Sequence, residues 1–214
     1  MRAPHRMTLW TVTVVTVLIG VSACGGKSKS STPSGGATNA STPNGSATNT
    51  PVPHAVESNP GGDIPDNQAF VAFADPAGRF TVTVPEGWAR GATGTATVFT
   101  DKYNSIRIES QLAATAPTTD SARTDELPAI QTGAPGFATG KISTVDRKAG
   151  QAVLITYQAS SPLNTVTGKV ATEAVERYEF WRAGREVVVT LSAPVDSDNV
   201  DPWRKVTDSF TWTR

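Results

Sequence analysis

Phe70-Val-Ala-Phe-Ala-Asp-Pro-Ala-Gly-Arg-Phe-Thr-Val-Thr-Val-Pro-Glu-Gly-Trp88 is the stretch from which the fold can be read. Phe70 to Ala74 is a short apolar run, and Asp75-Pro-Ala-Gly78 has the residues of a tight turn. Arg79 to Val84 then alternates, with Phe80, Val82 and Val84 on one face and threonines on the other, which is the period of a half-buried strand. Pro85-Glu-Gly-Trp88 stops it, because proline has no backbone donor to continue a ladder. Two strands and their turn are therefore specified locally, and the rest of the folded region follows the same period.

Downstream, Thr95 to Thr100 and Ser105 to Leu112 flank the turn Asp101-Lys-Tyr-Asn104 and predict a hairpin, with Ile106, Ile108 and Leu112 inward and Arg107, Glu109 and Gln111 outward. Gly91-Ala-Thr-Gly94 reads as a flexible loop rather than a phosphate cradle, since no strand-to-helix setting surrounds it. Thr119 to Gln131 is a helix candidate opened by Asp120 or Ser121 and interrupted at Pro128, which disfavours helix at Leu127. Lys141 to Asp146 and Gln151 to Ala159 form a second hairpin across Lys148-Ala-Gly150. Ala171 to Arg182 and Arg185 to Ala193 form a third across Ala183-Gly184. A last helix is expected from Asp201-Pro202, the aspartate as N-cap and the proline at the first helical position. Its inward face would carry Val200, Trp203, Val206 or Thr207, and Phe210, while Arg204, Lys205 and Asp208 face water.

Upstream the composition changes. From Gly25 to Gly62, 28 of 38 residues are Gly, Ser, Thr, Pro or Asn, with no aromatic side chain. Such a stretch has too little apolar surface to offset its ordering entropy and reads as a disordered tether, reaching roughly 35 Å as a flexible coil. Within it, Ser31 to Asn39 and Ser41 to Asn49 form an imperfect decapeptide repeat, too polar for a solenoid. Ahead of the tether, Arg2, His5 and Arg6 precede an uncharged run from Met7 to Gly20 that ends in Val21-Ser22-Ala23-Cys24, the layout of a secretory signal. Met7 to Ala23 is 17 residues with four threonines, short for a membrane span of about 20 apolar residues.

The division expected is a signal peptide over residues 1–23, a modified Cys24 with its linker over 24–62, and a globular domain over 63–214. The last is long enough for one core.

Val21-Ser-Ala-Cys24, followed by two glycines, resembles a bacterial lipobox, in which the cysteine takes a diacylglycerol thioether and becomes the new amino terminus. That resemblance implies lipid attachment at Cys24 and residence on the extracytoplasmic face of the cell membrane. Two acyl chains suffice for stable anchoring.

The chain carries 19 basic and 19 acidic side chains, and removal of Arg2 and Arg6 with the signal leaves 17 against 19. This balance argues against a nucleic-acid partner, whose phosphates call for excess positive charge. Both histidines, His5 and His54, and the sole cysteine precede residue 63, so the domain has no His or Cys for a triad or a zinc site. No cofactor is implied. Asp196-Ser-Asp198-Asn199-Val-Asp201 is the densest acidic cluster, but read as a calcium loop it has Asp201 where glycine belongs. Helix capping explains it better, and no metal residue is assigned. Glu173 and Glu179 share a strand face with Arg177 while Glu176 faces away, which suggests surface ion pairing rather than a catalytic acid pair.

Taken together, Phe73-x-Asp75-Pro-x-Gly78-Arg-Phe80-x-Val-x-Val-Pro85-x-Gly87-Trp88, the two later hairpins and a closing Trp203 to Trp212 helix resemble the PsbP family. The resemblance implies an α+β domain, an antiparallel β-sheet flanked by helices in an α/β/α sandwich. With the lipobox and tether, the whole chain also resembles actinobacterial envelope lipoproteins of the LpqN-like group. That implies a non-enzymatic accessory whose partners are the membrane, through its anchor, and an envelope lipid or a membrane protein. A small hydrolase with a carboxylate base and a purely protein–protein module are the alternatives. Two facing carboxylates in a deep cleft would favour the hydrolase, and an apolar cleft would favour binding. Candidate ligand or partner residues are the aromatics Trp88, Tyr103 and Trp181. Trp181 stands opposite Tyr178 and Phe180 on its strand, so it is core in a doubly covered sheet and a groove marker in an open one.

Overall fold

A computed structural model describes residues 61–164 and 168–213. Up to residue 60, the stretches expected to be a signal and a tether, Cys24 included, lie outside the described residues. The architecture is α+β: two antiparallel sheets with a few helices. The small sheet contains β1 (Phe70–Ala74), β2 (Phe80–Pro85) and β10 (Thr211–Trp212), in the order β1-β2-β10. The large one joins β3 (Ala89–Thr93), β4 (Ala96–Asp101), β5 (Asn104–Leu112), β6 (Ala138–Arg147), β7 (Gly150–Ser160), β8 (Thr172–Arg182) and β9 (Arg185–Pro194), in the order β3-β4-β5-β9-β8-β7-β6. The antiparallel sheet and flanking helices expected from the sequence are present, the strands divided between these two sheets.

The opening stretch folds as its pattern dictates. Phe80, Val82 and Val84 are buried, and Phe70 pairs with Pro85 at the end of the β1–β2 ladder. Asp75 accepts the Arg79 side chain in the turn, and that bond holds its carboxyl below the usual carboxylate range. From the small sheet these side chains meet Phe99, Ile106, Ile108, Tyr178, Phe180, Val187, Val189 and Leu191 on one face of the large sheet. Helix α3 (Val200–Ser209) closes this core with Trp203 and Val206, and Phe210 follows it. Phe210 stacks on Phe180 at 4.4 Å and on Phe80 at 5.4 Å, so one ring ties the two sheets together.

Several local expectations are revised. Ala89–Thr93 is a strand, not a loop, paired along β4 from Ala89↔Thr100 to Thr93↔Ala96. It is exposed throughout, so its pairing is carried by the backbone ladder rather than by burial. Leu112, expected inward, is 79% exposed, because β5 runs past the core at that end. The helical stretch after β5 does not break at Pro128. It runs as α1 (Thr119–Ser121), a π-turn over Ala122–Glu126 and α2 (Leu127–Gly133). The widened turn bonds Leu127 N–H to Ala122 C=O and so accommodates the missing proline donor. Thr118, rather than Asp120 or Ser121, is the N-cap, in a reciprocal capping box with Ser121.

At α3 the flanking residue is Asn199, and no side chain caps the helix, so neither Asp201 nor the acidic cluster plays that part. Asn199 is committed elsewhere. Its Oδ1 accepts Ile64 N–H at 2.8 Å, and its Nδ2 donates to Gly62 C=O at 2.9 Å and to Asn104 Oδ1 at 3.0 Å. This buried amide fastens the start of the domain to β5. Val200 is 72% exposed rather than inward, and the helix stops at Ser209, leaving Trp212 in β10. Asp208 is drawn out of the solvent-facing set by Arg147, 3.7 Å away. Lys205 lies over the Phe70 ring, 4.2 Å from its centre.

The second face of the large sheet is covered by the α1–α2 stretch over part of its width. Ala122, Leu127 and Ile130 pack on Val153, Ile155, Ile142 and Tyr157. Beyond that cover the same face carries hollows bordered by its loops, and there the candidate site lies.

Candidate functional site

Successive residues of a strand point to opposite faces, so β4, β5, β8 and β9 send Val98, Thr100, Ser105, Glu173 and Ser192 to the face opposite the main core. They floor a cleft of about 450 Å³ that lies between the β4–β5 turn, carrying Lys102 and Tyr103, and the loop Ser161–Asn164. A second hollow of about 320 Å³ shares Ser161, Pro162, Glu173 and Ser192 with it and continues past Tyr157 to Ala134 and Pro135. The two make one groove running across the strands.

Its walls are built by local bonding. The loop folds back on itself through Ser161 N–H to Ala171 C=O at 2.8 Å, Ala171 N–H to Ser161 Oγ at 2.9 Å and Asn164 N–H to Lys169 C=O at 2.9 Å. At the far end Ser160 N–H donates to Pro135 C=O at 2.7 Å. Gly136 makes that approach possible: its φ is +66°, and a Cβ there would stand 2.4 Å from Ser160 Oγ. Tyr103 follows Lys102, itself at φ +51°, in the turn between two strands.

Within the floor, Ser105 Oγ and Ser192 Oγ are 2.8 Å apart. Glu173 is half-buried; burial pushes its carboxyl above the ordinary carboxylate range, and a hydrogen bond from Ser192 partly offsets that. Burial likewise raises the Tyr157 hydroxyl. Among the described residues Glu173 is the single acidic one lining either hollow, and Lys102 the single basic one.

Trp181 belongs to a different place. Counted along β9, the partner of Trp181 is Glu186 and the neighbour of the cleft is Ser192, which puts them about 20 Å apart at the rise of an extended strand. Trp181 is half-buried, donates Nε1–H to Ala113 C=O at 2.8 Å, and lines a hollow of about 300 Å³ with Glu179, Gln151 and Thr118. Trp88 packs half-buried against the core and lines none of these hollows. Of the three aromatics singled out in the sequence, Tyr103 alone lines the cleft.

Beside Trp181, the expected surface ion pairing proves to be internal. Glu179 is 1% exposed; its Oε1 accepts Arg177 Nε at 3.0 Å, and Arg177 also reaches Glu126 at 2.8 Å. Glu179 Oε2 has no partner. Burial foremost, against the Arg177 charge but with the nearby Glu126 and Glu186 charges, raises the Glu179 carboxyl to about 7. Glu176, on the other face, accepts Tyr178 Oη–H at 2.7 Å. Among the described residues no group of three or more His, Cys, Asp or Glu side chains is placed to hold a metal ion.

No protein-family model matches the chain. A comparison with curated proteins also finds no match. Solved structures do resemble it. Cyanobacterial PsbP from Synechocystis sp. PCC 6803 aligns at 14% identity with a TM-score of 0.47, over 74% of this chain and 99% of that one. A protein from Bacteroides thetaiotaomicron aligns at 14% identity and a TM-score of 0.46, covering 67% of this chain; the chain spans 48% of that protein's length. LpqN of Mycobacterium tuberculosis, described as involved in cell envelope biogenesis, aligns at 17% identity and a TM-score of 0.37, over 70% of this chain and 87% of that one. Scores and identities of this size carry no argument about ligand or chemistry, which rest on the residues themselves.

Sequence reasoning missed Glu173 and Ser192 as cleft residues. Their strands were legible, but the loop that walls them is fixed by backbone bonds between residues ten apart, which no side-chain pattern announces.

Proposed function

We propose that this chain is a lipid-anchored extracytoplasmic module that holds an envelope lipid or a membrane-protein partner and releases it unchanged. The anchor is read from the lipobox at Cys24, and the reach from the tether that follows it. The observation that carries the binding role is the cleft under Ser161–Asn164. Its walls offer Tyr103, Pro162 and Leu163 to an apolar group, its floor offers hydroxyls to a polar one, and a single carboxylate lines it. A hydrolase built on a carboxylate base needs a second acid or an activated nucleophile facing the first. Beside Glu173 stand the Ser192 hydroxyl and the Tyr157 phenol, and no second carboxylate lines the cleft among the described residues.

Native mass spectrometry of the full chain extracted from its own envelope tests the proposal. A co-purifying lipid or membrane polypeptide, lost when the cleft is filled by Ser192→Phe, is the expected result. An empty protein, together with a turnover activity abolished by Glu173→Gln, would reverse it in favour of the hydrolase.

A further inference from the structure

Resting on that reading and going one step further, we propose that the cleft receives the headgroup of a zwitterionic aminophospholipid, with the ammonium on Glu173 and the phosphate at Lys102. The cleft's charges select this chemistry. Among the described residues it is lined by one acid and one base, the acid recessed in the floor and the base on an exposed turn. A half-buried carboxylate is stabilised by a cation that donates hydrogen bonds, which an alkylammonium does through three N–H groups. An anionic headgroup without an amine could pair with Lys102 but would leave the Glu173 carboxylate without a cation, and a purely cationic ligand would leave Lys102 facing its own sign.

The apolar parts are placed to follow the headgroup out of the cleft. Leu163 is 61% exposed on the wall, next to Pro162, and an exposed leucine at a cleft mouth is suited to the acyl region just beyond a glycerol backbone. The tether joins the domain beside the same cleft: at Gly61 a Cβ would lie 3.8 Å from Tyr103 Cε2. A lipid ligand is thus presented to the chain at the end of the domain from which the tether departs.

The test uses the full lipidated chain in micelles doped in turn with phosphatidylethanolamine, phosphatidylcholine or phosphatidylglycerol, with bound lipid counted by native mass spectrometry. Expected are one bound phosphatidylethanolamine at least tenfold tighter than phosphatidylglycerol, weaker phosphatidylcholine because its nitrogen has no N–H, and loss of the preference in Glu173→Gln. Lys102→Gln, on an exposed turn where folding is not at stake, should weaken phosphatidylethanolamine severalfold. Lipid bound without headgroup preference, or a preference unchanged in both variants, would overturn the headgroup assignment while leaving a lipid-binding cleft. No lipid bound from any micelle would overturn the assignment and the cleft's lipid role with it.

Discussion

Replacing Glu179 with glutamine should change how stability depends on pH. The wild-type carboxyl is 1% exposed, has an unpartnered Oε2, and is raised to about 7 from an ordinary 4.5. A carboxyl whose proton is held more tightly in the folded state adds stability below its unfolded value, and that contribution is lost as pH rises through the folded value. At about 1.4 kcal/mol for each tenfold change in proton affinity, the gap amounts to about 3 kcal/mol, withdrawn between roughly pH 4.5 and 7. Glu179→Gln keeps an oxygen for Arg177 Nε and cannot ionise. Urea unfolding of the full chain between pH 5 and 8.5 reads the difference. The two proteins should be close at pH 5, and at pH 8 the variant should be more stable by about 2 to 3 kcal/mol. Parallel curves for variant and wild type across that range would refute the reasoning, since they would mean that Glu179 is ionised in the fold at no cost.

Two further outcomes follow from backbone and buried polar contacts. Gly136→Ala places a Cβ 2.4 Å from Ser160 Oγ at a φ of +66°, so thermal unfolding should show a loss of about 1 to 3 kcal/mol and the groove's far wall should loosen in hydrogen exchange at Ser160. Asn199→Ala removes three hydrogen bonds that hold Gly62, Ile64 and Asn104, leaving buried groups unpaired. A loss of about 2 to 4 kcal/mol is expected, with faster proteolysis near residue 64; unchanged proteolysis there would show that this amide does not fasten the domain's start.

Much of the fold is legible where one face of a strand is buried. Phe80, Val82 and Val84 alternate with threonines because the small sheet buries one side only, and the Ala183-Gly184 hairpin is announced by its turn, where both residues adopt positive φ. The α+β antiparallel arrangement agrees with what the PsbP resemblance implied. The misses arise where backbone pairing or a partner elsewhere in the chain, rather than a side-chain period, decides the structure. Ala-Arg-Gly-Ala-Thr93 has no large apolar residue, and it is a strand only because β4 offers it a ladder. The closing helix is expected to run on to Trp212, but Phe210 turns extended, at ψ 130°, and delivers the next two residues to β2. Asn199 and Asp201 are equal as caps by type, and only the docking of Gly62 to Ile64 commits the asparagine elsewhere.

The site divides in the same way. Tyr103 was visible as an aromatic in a turn, and Trp181 as an aromatic on the odd face of β8, yet about 20 Å of sheet separates their neighbourhoods. Alternation placed Arg177 and Glu179 together correctly. It could not foresee that a helical segment bringing Glu126 would bury them.

The most direct test of the account is photocrosslinking in the intact envelope, with a photoactivatable phenylalanine analogue replacing Tyr103 in the cleft or Trp88 away from it. The account predicts an adduct of lipid or membrane-protein mass from position 103, little from position 88, and loss of the adduct when Cys24→Ser frees the chain from its anchor. Equal labelling from both positions, or an adduct indifferent to Cys24, would contradict it.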